Sequence, residues 1–591
     1  MFIKPQSLNI FLCHQHRVND LFSHQINWTN ARWIYFSEDY LTAVELRNKF
    51  NKLGASEIHY TEALNQIARE IKPQFIDLIG TIGKNQPFKE WIISSIAEKN
   101  SASTIYLDVC RSCYVKNYLL KNDFDRILVI ICAREGLLEI LQELFPDAKC
   151  MVPSRIKTCL QYILLYIRSR CYLILKAIKF CMKSKTLSRP QRAGIILHTW
   201  LTAQSFDSEG KFNEIYHGGL YKSMLLNNID VALLVWTIGE EAMVRFAKEI
   251  KNKQIKVICF ELYINIFDLV ILLFKDFLSK CLKFNNVNLC SLNIAPILNE
   301  ASAIDKAANR YSIYYQEEVL IKKLSAAGWK PERFIYPMEN QPWERVLCLA
   351  IKRYLPECII VAYQHAAFSP QYLFYCQSNE EKEYMPQPDI ILTTGEIARD
   401  YLKSYGYKAT IEVGGALRYK YLFEKSEKSG KQTDYKTVLV PLSFNFNLML
   451  ELLQRMIEFC KKNDKIKFII KPHPCMPLPC HTYEKLETFR MIEVRNELIG
   501  ELLQKTDALL YMDTVVCIEA LALGIPVIHI APEYVIDIDP LEDYPEMKMN
   551  ISLLDSISEN RLSFPQSADT FWSRYFAYPE PELMEKFWTM R

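Results

Sequence analysis

Lys467-Phe468-Ile469-Ile470-Lys471-Pro472-His473-Pro474 is a short apolar run that stops on two prolines. Downstream of it stands Tyr511-Met512-Asp513-Thr514-Val515-Val516-Cys517-Ile518-Glu519-Ala520-Leu521-Ala522-Leu523-Gly524-Ile525-Pro526-Val527-Ile528. The first stretch reads as a buried strand that delivers His473 to its carboxyl end, with the prolines stiffening the backbone on either side. The second reads strand, polar turn, helix, glycine stop, strand. Asp513 or Thr514 is expected to cap the helix, whose free amides and positive dipole end favour an anion, and Glu519 lies one to two turns in, where it can accept from hydroxyls. Gly524 closes the helix and Pro526 opens the next strand. Together they describe a parallel, doubly wound α/β unit, and such sheets bind ligands beyond their strand carboxyl ends. Lys471 and His473 there supply an ammonium and an imidazole suited to a phosphate.

Working outward, Val438 to Pro441, Ile492-Glu493-Val494 and Val527-Ile528-His529 read as further strands, so residues 436–563 form one Rossmann-like unit. A polar segment around Gly430, residues 424–435, reads as a linker. Before it, the strand rhythm of Gly194 to His198, Val231 to Trp236, Ile255 to Phe260, Phe334-Ile335-Tyr336, Ile359 to Tyr363, Ile390 to Thr393 and Ile411-Glu412-Val413 predicts a second such unit over 191–423. It is interrupted by an apolar, basic stretch, 262–325, read as an all-helical insertion. Residues 1–150 are read as a small α/β domain with strands at Trp33 to Phe36, Phe75 to Ile79, Thr104 to Leu107 and Ile127 to Cys132. The tail, 564–591, is expected to fold back as helices. The fold class expected is thus α/β: two Rossmann-type domains facing a cleft, with an additional N-terminal α/β domain.

A chain of 591 residues carrying 71 basic and 68 acidic side chains has a formal net charge of only +3, so nothing in the global field calls for a nucleic acid. Lys4, His14, His16 and Arg17 break up the first apolar stretch, which does not read as a signal peptide. A cytoplasmic location follows, and with it free thiols for the 18 cysteines. Cys110-x-x-Cys113 and the Cys475, Cys480, His481 group lack a second pair at zinc-ligand spacing, so no metal is expected. Arg155 to Lys185 carries eight Lys or Arg and no Asp or Glu among long apolar runs. The region 151–190 reads as a basic amphipathic helix, too interrupted by charge to span a bilayer. Peripheral contact of 155–185 with an anionic membrane is one reading, and an interdomain helix with solvated lysines is the other.

The middle unit offers Tyr336-Pro337-Met338-Glu339-Asn340-Gln341-Pro342-Trp343-Glu344-Arg345. Glu339 falls at a strand end, where a desolvated carboxylate is a candidate general base. Pro342 opens a helix, and Trp343 either anchors that helix or stacks on a sugar. Gln364-His365 ends the next strand and supplies a rival base, His365. Asp207 and His217-Gly218-Gly219 lie in a loop where glycines would let the backbone approach a ligand. Arg418, following Gly414-Gly415, is placed to pair with a phosphate.

Lys-Pro-His-Pro followed by a strand-turn-helix ending Glu-Ala-x-x-x-Gly-x-Pro-Val-Ile resembles the carboxyl-terminal domain of GT-B glycosyltransferases. Within them, the His-Pro and the Thr-containing turn resemble bacterial sialyltransferases, Kdo transferases and CDP-glycerol glycerophosphotransferases, although Asp513-Thr514 stands where those carry a Ser-Ser or Ser-Thr pair. Tyr336 to Arg345 together with Tyr363-Gln364-His365 resembles bacterial surface-carbohydrate biosynthesis proteins. The resemblance implies a metal- and cofactor-independent transferase moving a sugar from a nucleotide-activated donor, CMP- or CDP-linked, to a surface polysaccharide or lipid-linked glycan. It implies donor binding by Lys471, His473, Asp513, Thr514, Glu519 and Arg418, catalysis by Glu339, His365 and His473, and an acceptor side at Asp207, His217, Gly218, Trp343 and Gln364. A GT-B-fold nucleotide-sugar epimerase and a non-catalytic glycan-assembly subunit remain the alternatives.

Overall fold

The computed structural model describes residues 9–100, 103–119, 127–183, 192–202, 205–206, 212–237, 256–424, 437–552, 554–557, 565 and 568–590. Three parallel sheets organise them. The first takes β1 (Ile10–His14), β2 (Ala31–Phe36), β3 (Ser56–Glu57), β4 (Ile127–Cys132) and β5 (Lys149–Met151) in the order β3-β2-β4-β1-β5. The second uses β6 (Ile195–Leu201), β7 (Val231–Thr237) and β8 (Val257–Cys259), then, beyond a two-stranded hairpin of β9 (Asn288–Leu289) and β10 (Leu292–Asn293), β11 (Arg333–Pro337), β12 (Ile359–Gln364), β13 (Ile390–Thr393) and β14 (Thr410–Val413). Its order is β14-β13-β12-β11-β6-β7-β8. The third contains β15 (Thr437–Pro441), β16 (Lys467–Lys471), β17 (Ile492–Val494), β18 (Ala508–Tyr511), β19 (Val527–Ile530) and β20 (Met549–Ile551), in the order β17-β16-β15-β18-β19-β20. The fold is α/β, as the sequence pattern indicates, because the strands are short β-branched runs buried on both faces, a composition only a helix-covered parallel sheet accommodates.

Two expected strands are helical. Phe75 to Ile79 lies inside α1 (Thr61–Gly83), which buries Leu64, Ala68, Ile71, Phe75, Ile76 and Ile79 at helical spacing and carries Pro73 on its exposed side. Thr104 to Leu107 opens α2 (Ile105–Tyr114), buried almost all round. Their places in the first sheet are taken by β1 and β5. The stretch 262–325 is mostly helical, broken at 279–294 by an irregular segment and the β9–β10 hairpin, which is held by an antiparallel pairing of Leu289 with Leu292. The basic segment folds as one helix, α3 (Arg155–Lys183), and α4 (Ile266–Leu278) opens on a capping box between Asn265 and Asp268. Among the described residues no helix is long and apolar enough to cross a membrane.

In the second sheet the chain leaves β6 in one direction to β7 and returns on its other side at β11. In the third it leaves β15 towards β16 and returns at β18. Each reversal opens a crevice at the strand carboxyl ends. The two sheets are joined behind these crevices by an apolar cluster that mixes Ala367, Tyr419 and Leu422 from one with Leu439, Leu509 and Tyr511 from the other. The tail adds a strap. Ala577 hydrogen-bonds Thr394 and Ala416, and Phe587 enters the core of the second sheet. The first sheet grips the segment after β19: Arg47 pairs with Glu533, the buried Arg111 donates to the Tyr534 carbonyl at 2.9 Å, and Asn65 accepts from the Asp537 amide at 2.9 Å.

Candidate functional site

At the β15/β18 reversal, strands that are distant in sequence bring Ser443 and Asp513 side by side, and the Ser443 hydroxyl donates to the Asp513 carboxylate at 2.6 Å. Burial pushes Asp513 up to about 6 against that hydrogen bond. The carboxylate therefore turns to Ser443 and does not cap a helix. The helix that follows, α5 (Val516–Ala522), is shorter than the pattern suggested; Val515 stands at its N-cap without a side-chain bond, and Thr514 Oγ1 accepts only a long 3.4 Å contact from the Val516 amide.

One strand over, His473 follows β16. Its Nδ1 accepts from the Cys475 amide at 3.2 Å, so in the neutral ring the proton sits on Nε2 as a donor. Burial, then the nearby Lys471, lowers its pKa and keeps it neutral. Phe444, exposed at the end of β15, meets it edge-on at 5.2 Å. Lys471 is near enough to act on His473, but its ammonium donates to the Asn496 carbonyl at 2.9 Å, on the β17 side. Glu519 is buried and accepts from the Tyr421 hydroxyl, a protein group where a ligand hydroxyl was expected.

Across from these lies the β6/β11 crevice. Glu339 leaves β11 and His365 leaves β12, and His365 Nε2 sits 3.8 Å from Glu339 Oε1. Burial raises the Glu339 carboxyl, opposed by Arg418 and by a hydrogen bond from Gln341, while 36% of the side chain stays open to solvent. Burial, then Arg418 and His217, holds His365 well below the ordinary imidazole range, so it is neutral, and its Nδ1 has no partner among the described residues. Glu344 holds the turn that aims Glu339: its carboxylate accepts from the amides of Glu339, Asn340 and Gln341 at 2.9 to 3.0 Å, with Asn340 in the left-handed region. That geometry closes a capping box on α6 (Pro342–Tyr354).

The two crevices face each other. Cys475 is near enough to Glu339 for the carboxylate to raise the thiol, and Tyr372 feels both Asp513 and Glu339. Arg418, exposed, lies over the Tyr216 ring at 5.6 Å and acts electrostatically on both Glu339 and Glu519. Tyr216 in turn packs against Trp200 and His365, at 4.8 and 5.9 Å. Glu339, His365, Arg418 and Tyr216 thus form one cluster on the second sheet, and the Cys475 thiol, two residues after His473, is within electrostatic reach of Glu339.

Several expected acceptor residues are elsewhere. Trp343 is 2% exposed and anchors α6 against His198, Trp236 and Tyr336, so it does not present a face to a sugar. Gln364 is spent inside the sheet, where its Oε1 accepts from the Thr394 amide and hydroxyl. His217 is fully buried with Nδ1 at 3.3 Å from Glu214, which also accepts from Thr199 at 2.6 Å. Gly218, at φ +51°, approaches the protein's own chain and not a ligand: a Cβ there would stand 2.1 Å from the Leu417 carbonyl. Asp207 lies outside the described residues. Sequence reasoning missed Ser443, Tyr216 and Glu214; only the Glu214-x-x-His217 spacing carried a local signal. Among the described residues no group of three or more His, Cys, Asp or Glu side chains is arranged to hold a metal, and Cys110 and Cys113 are buried free thiols.

No family model and no curated protein matches the chain. Solved structures do resemble it. The S. aureus MnaA–UDP co-structure is 11% identical at a TM-score of 0.40, covering 66% of this chain and 94% of its own. UDP-GlcNAc 2-epimerase from Neisseria meningitidis bound to UDP-GlcNAc is 13% identical at 0.35, covering 66% and 93%. CalG4, the calicheamicin glycosyltransferase, is 13% identical at 0.33, covering 67% and 93%.

Proposed function

We propose that the chain is a glycosyltransferase that moves a sugar from a nucleotide-activated donor to a surface polysaccharide or lipid-linked glycan. The observation that carries this reading is the meeting of Glu339 and His365, with the Cys475 thiol of the His473 loop within electrostatic reach of Glu339. In this reading the third sheet receives the nucleotide. His473 Nε2–H and Arg418 contact the phosphate oxygens, where hydrogen-bond donors offset the charge that grows on the leaving group. Glu339, raised by burial but still open to solvent, takes the proton from the acceptor hydroxyl. The acceptor oxygen forms the new bond to the anomeric carbon as the bond from that carbon to the phosphate oxygen breaks, and the electron pair leaves with the nucleotide. His365, neutral, hydrogen-bonds the acceptor or the sugar and keeps Glu339 in place. Water excluded by the facing walls cannot hydrolyse the donor.

A second reading rests on Asp513. It is a protonatable carboxyl, pushed up to about 6, and Tyr372 is within electrostatic reach of both Asp513 and Glu339. Acid/base groups on two sides of one sugar also suit a nucleotide-sugar epimerase, which needs no acceptor. Incubation in heavy water with CMP-, CDP-, UDP-, GDP- and TDP-linked sugars, with and without a bacterial lipid extract, separates the two. Transfer predicts nucleotide release that depends on the extract and is lost in Glu339→Gln. Deuterium in the sugar of the recovered donor, without nucleotide release, would replace transfer by epimerisation. Neither product with any donor overturns both and leaves the assembly subunit.

A further inference from the structure

Helix α3 rests on the body of the chain along one side, where Thr158 donates to Glu135. Leu173 is buried, Ser169 donates to the Ala307 carbonyl at 2.9 Å, and Arg170 pairs with Asp276 of α4. Its outer side is a stripe of Ile156, Leu160, Ile163, Leu164 and Ile167, spaced by three and four residues, continued two turns on by Leu175, all exposed, with Ile156 at 74%. Such spacing puts them on one face of a helix. A soluble surface helix turns this face inward; α3 turns it out.

Helix α4, in contact with α3 through the Arg170–Asp276 pair, does the same. It buries Leu269, Leu272 and Asp276, and it exposes Phe267, Val270, Phe274, Phe277 and Leu278, with Phe267 at 71%. Two adjacent helices with apolar outer faces make an uncovered hydrophobic area of a kind that isolated soluble proteins rarely keep. Basic side chains outnumber acids around it, with Glu135 against Thr158 of α3 and Glu90 accepting from the Lys280 amide at 3.3 Å as acids in contact. Arg155, Lys157, Arg168 and Lys176 are exposed on α3, and Lys275, Lys280 and Lys283 on and just after α4. α3 carries no acid, and both acids of α4 are neutralised, Asp268 by Lys323 and Asp276 by Arg170. By helical spacing Lys157 and Arg168 border the α3 stripe, where long stems let ammonium and guanidinium groups reach lipid head groups while the apolar side chains enter the acyl boundary.

We propose that α3 and α4 together form a docking face for an anionic lipid bilayer, on which the chain lies without crossing it. Apolar insertion and attraction of the bases to acidic head groups act together there, and either alone gives weaker, reversible contact. The proposal stands on these two helices and does not depend on the chemistry of the cleft. Joined to the transfer reading, it brings the cleft to the membrane where a lipid-linked acceptor resides.

Flotation of the full chain with vesicles tests it, with no donor present, so that failure here and failure of transfer are separate results. Vesicles of phosphatidylcholine with phosphatidylglycerol should carry the protein up at low salt; vesicles of phosphatidylcholine alone should carry much less, and added salt should release it. Each base near an acidic surface contributes a factor of about five, so Lys157→Glu with Arg168→Glu should weaken binding at least ~20-fold. Leu164→Gln with Ile167→Gln, and separately Phe274→Gln with Phe277→Gln, should each weaken it about tenfold or more, with an unchanged thermal midpoint because all four residues are exposed. Absence of flotation on acidic vesicles, or equal flotation of these variants and the unmodified chain, overturns the proposal. So does a dimer, seen by light scattering, that the glutamine variants dissociate while vesicle binding is absent: the face would then belong to a second copy.

Discussion

Replacing Asp513 by Asn should make the protein more stable at neutral pH. Asp513 sits at the reversal between β15 and β18, in contact with one hydroxyl donor and with Asp537 near enough to raise it further. Its carboxyl is pushed from 3.8 to about 6, which corresponds to about 3 kcal/mol of unfavourable interaction with the ionised form. The sign follows from proton binding: the folded state holds the proton more tightly, so stability contributed by this group is intact below pH 3.8, is lost as pH rises towards 6, and is flat above it. Asn keeps an acceptor for Ser443 and carries no charge. The expected outcome is a variant up to ~3 kcal/mol more stable than the unmodified chain at pH 7.5, with the two converging at pH 4. Urea unfolding at a series of pH values measures it. An Asn variant equal to or less stable than the original at pH 7.5, or a pH-dependence unchanged by the substitution, would refute the assignment of a buried, protonatable carboxyl at this position. The epimerase reading, which uses this carboxyl, would then lose its support.

Glu339→Gln should lower transfer ~10²- to 10⁴-fold, the range for loss of a general base, with the thermal midpoint held. Because burial raises the Glu339 carboxyl, the acidic limb of the rate profile should lie above the ordinary carboxylate range and vanish in this variant; measured initial rates against pH decide it. His473→Ala should remove a donor aimed at the phosphates and cost ~10²-fold or more in turnover, with circular dichroism unchanged. Trp343→Ala should instead destabilise by ~3–5 kcal/mol in urea unfolding, because the indole fills a core among His198, Trp236 and Tyr336 and has no ligand role.

The strands of the second sheet, and those of the third except β20 (Met549–Ile551), were legible because their residues are short apolar, mostly β-branched runs, such as Ile390 to Thr393, bounded by turn residues. The first sheet was less so. Phe75 to Ile79 is as apolar as a strand, and only the spacing of Leu64, Ala68, Ile71 and Phe75 over a longer window, with Pro73 tolerated on the exposed side, marks a helix. Ile10 to Cys13, a strand of four apolar residues, was lost next to His14, His16 and Arg17. The site divides in the same way. Glu339, His365 and His473 were readable as polar residues directly after apolar runs. The Ser443–Asp513 contact was not, since it exists only because the third sheet reverses direction between β15 and β18. Nor could spacing show that Lys471 turns to Asn496, that Glu519 is taken by Tyr421, or that Trp343 is core: each is decided by what lies next to the side chain in space.

The account rests on His473 and Arg418 receiving the phosphates of a nucleotide in the space faced by Glu339 and His365. Thermal midpoints of the full chain with CMP, CDP, UDP, GDP and TDP test that most directly, since a ligand that prefers the folded state raises the midpoint. At least one nucleotide should raise it, and the rise should disappear in His473→Ala with Arg418→Ala. A chain indifferent to all five, or a rise that survives the double substitution, would contradict the account.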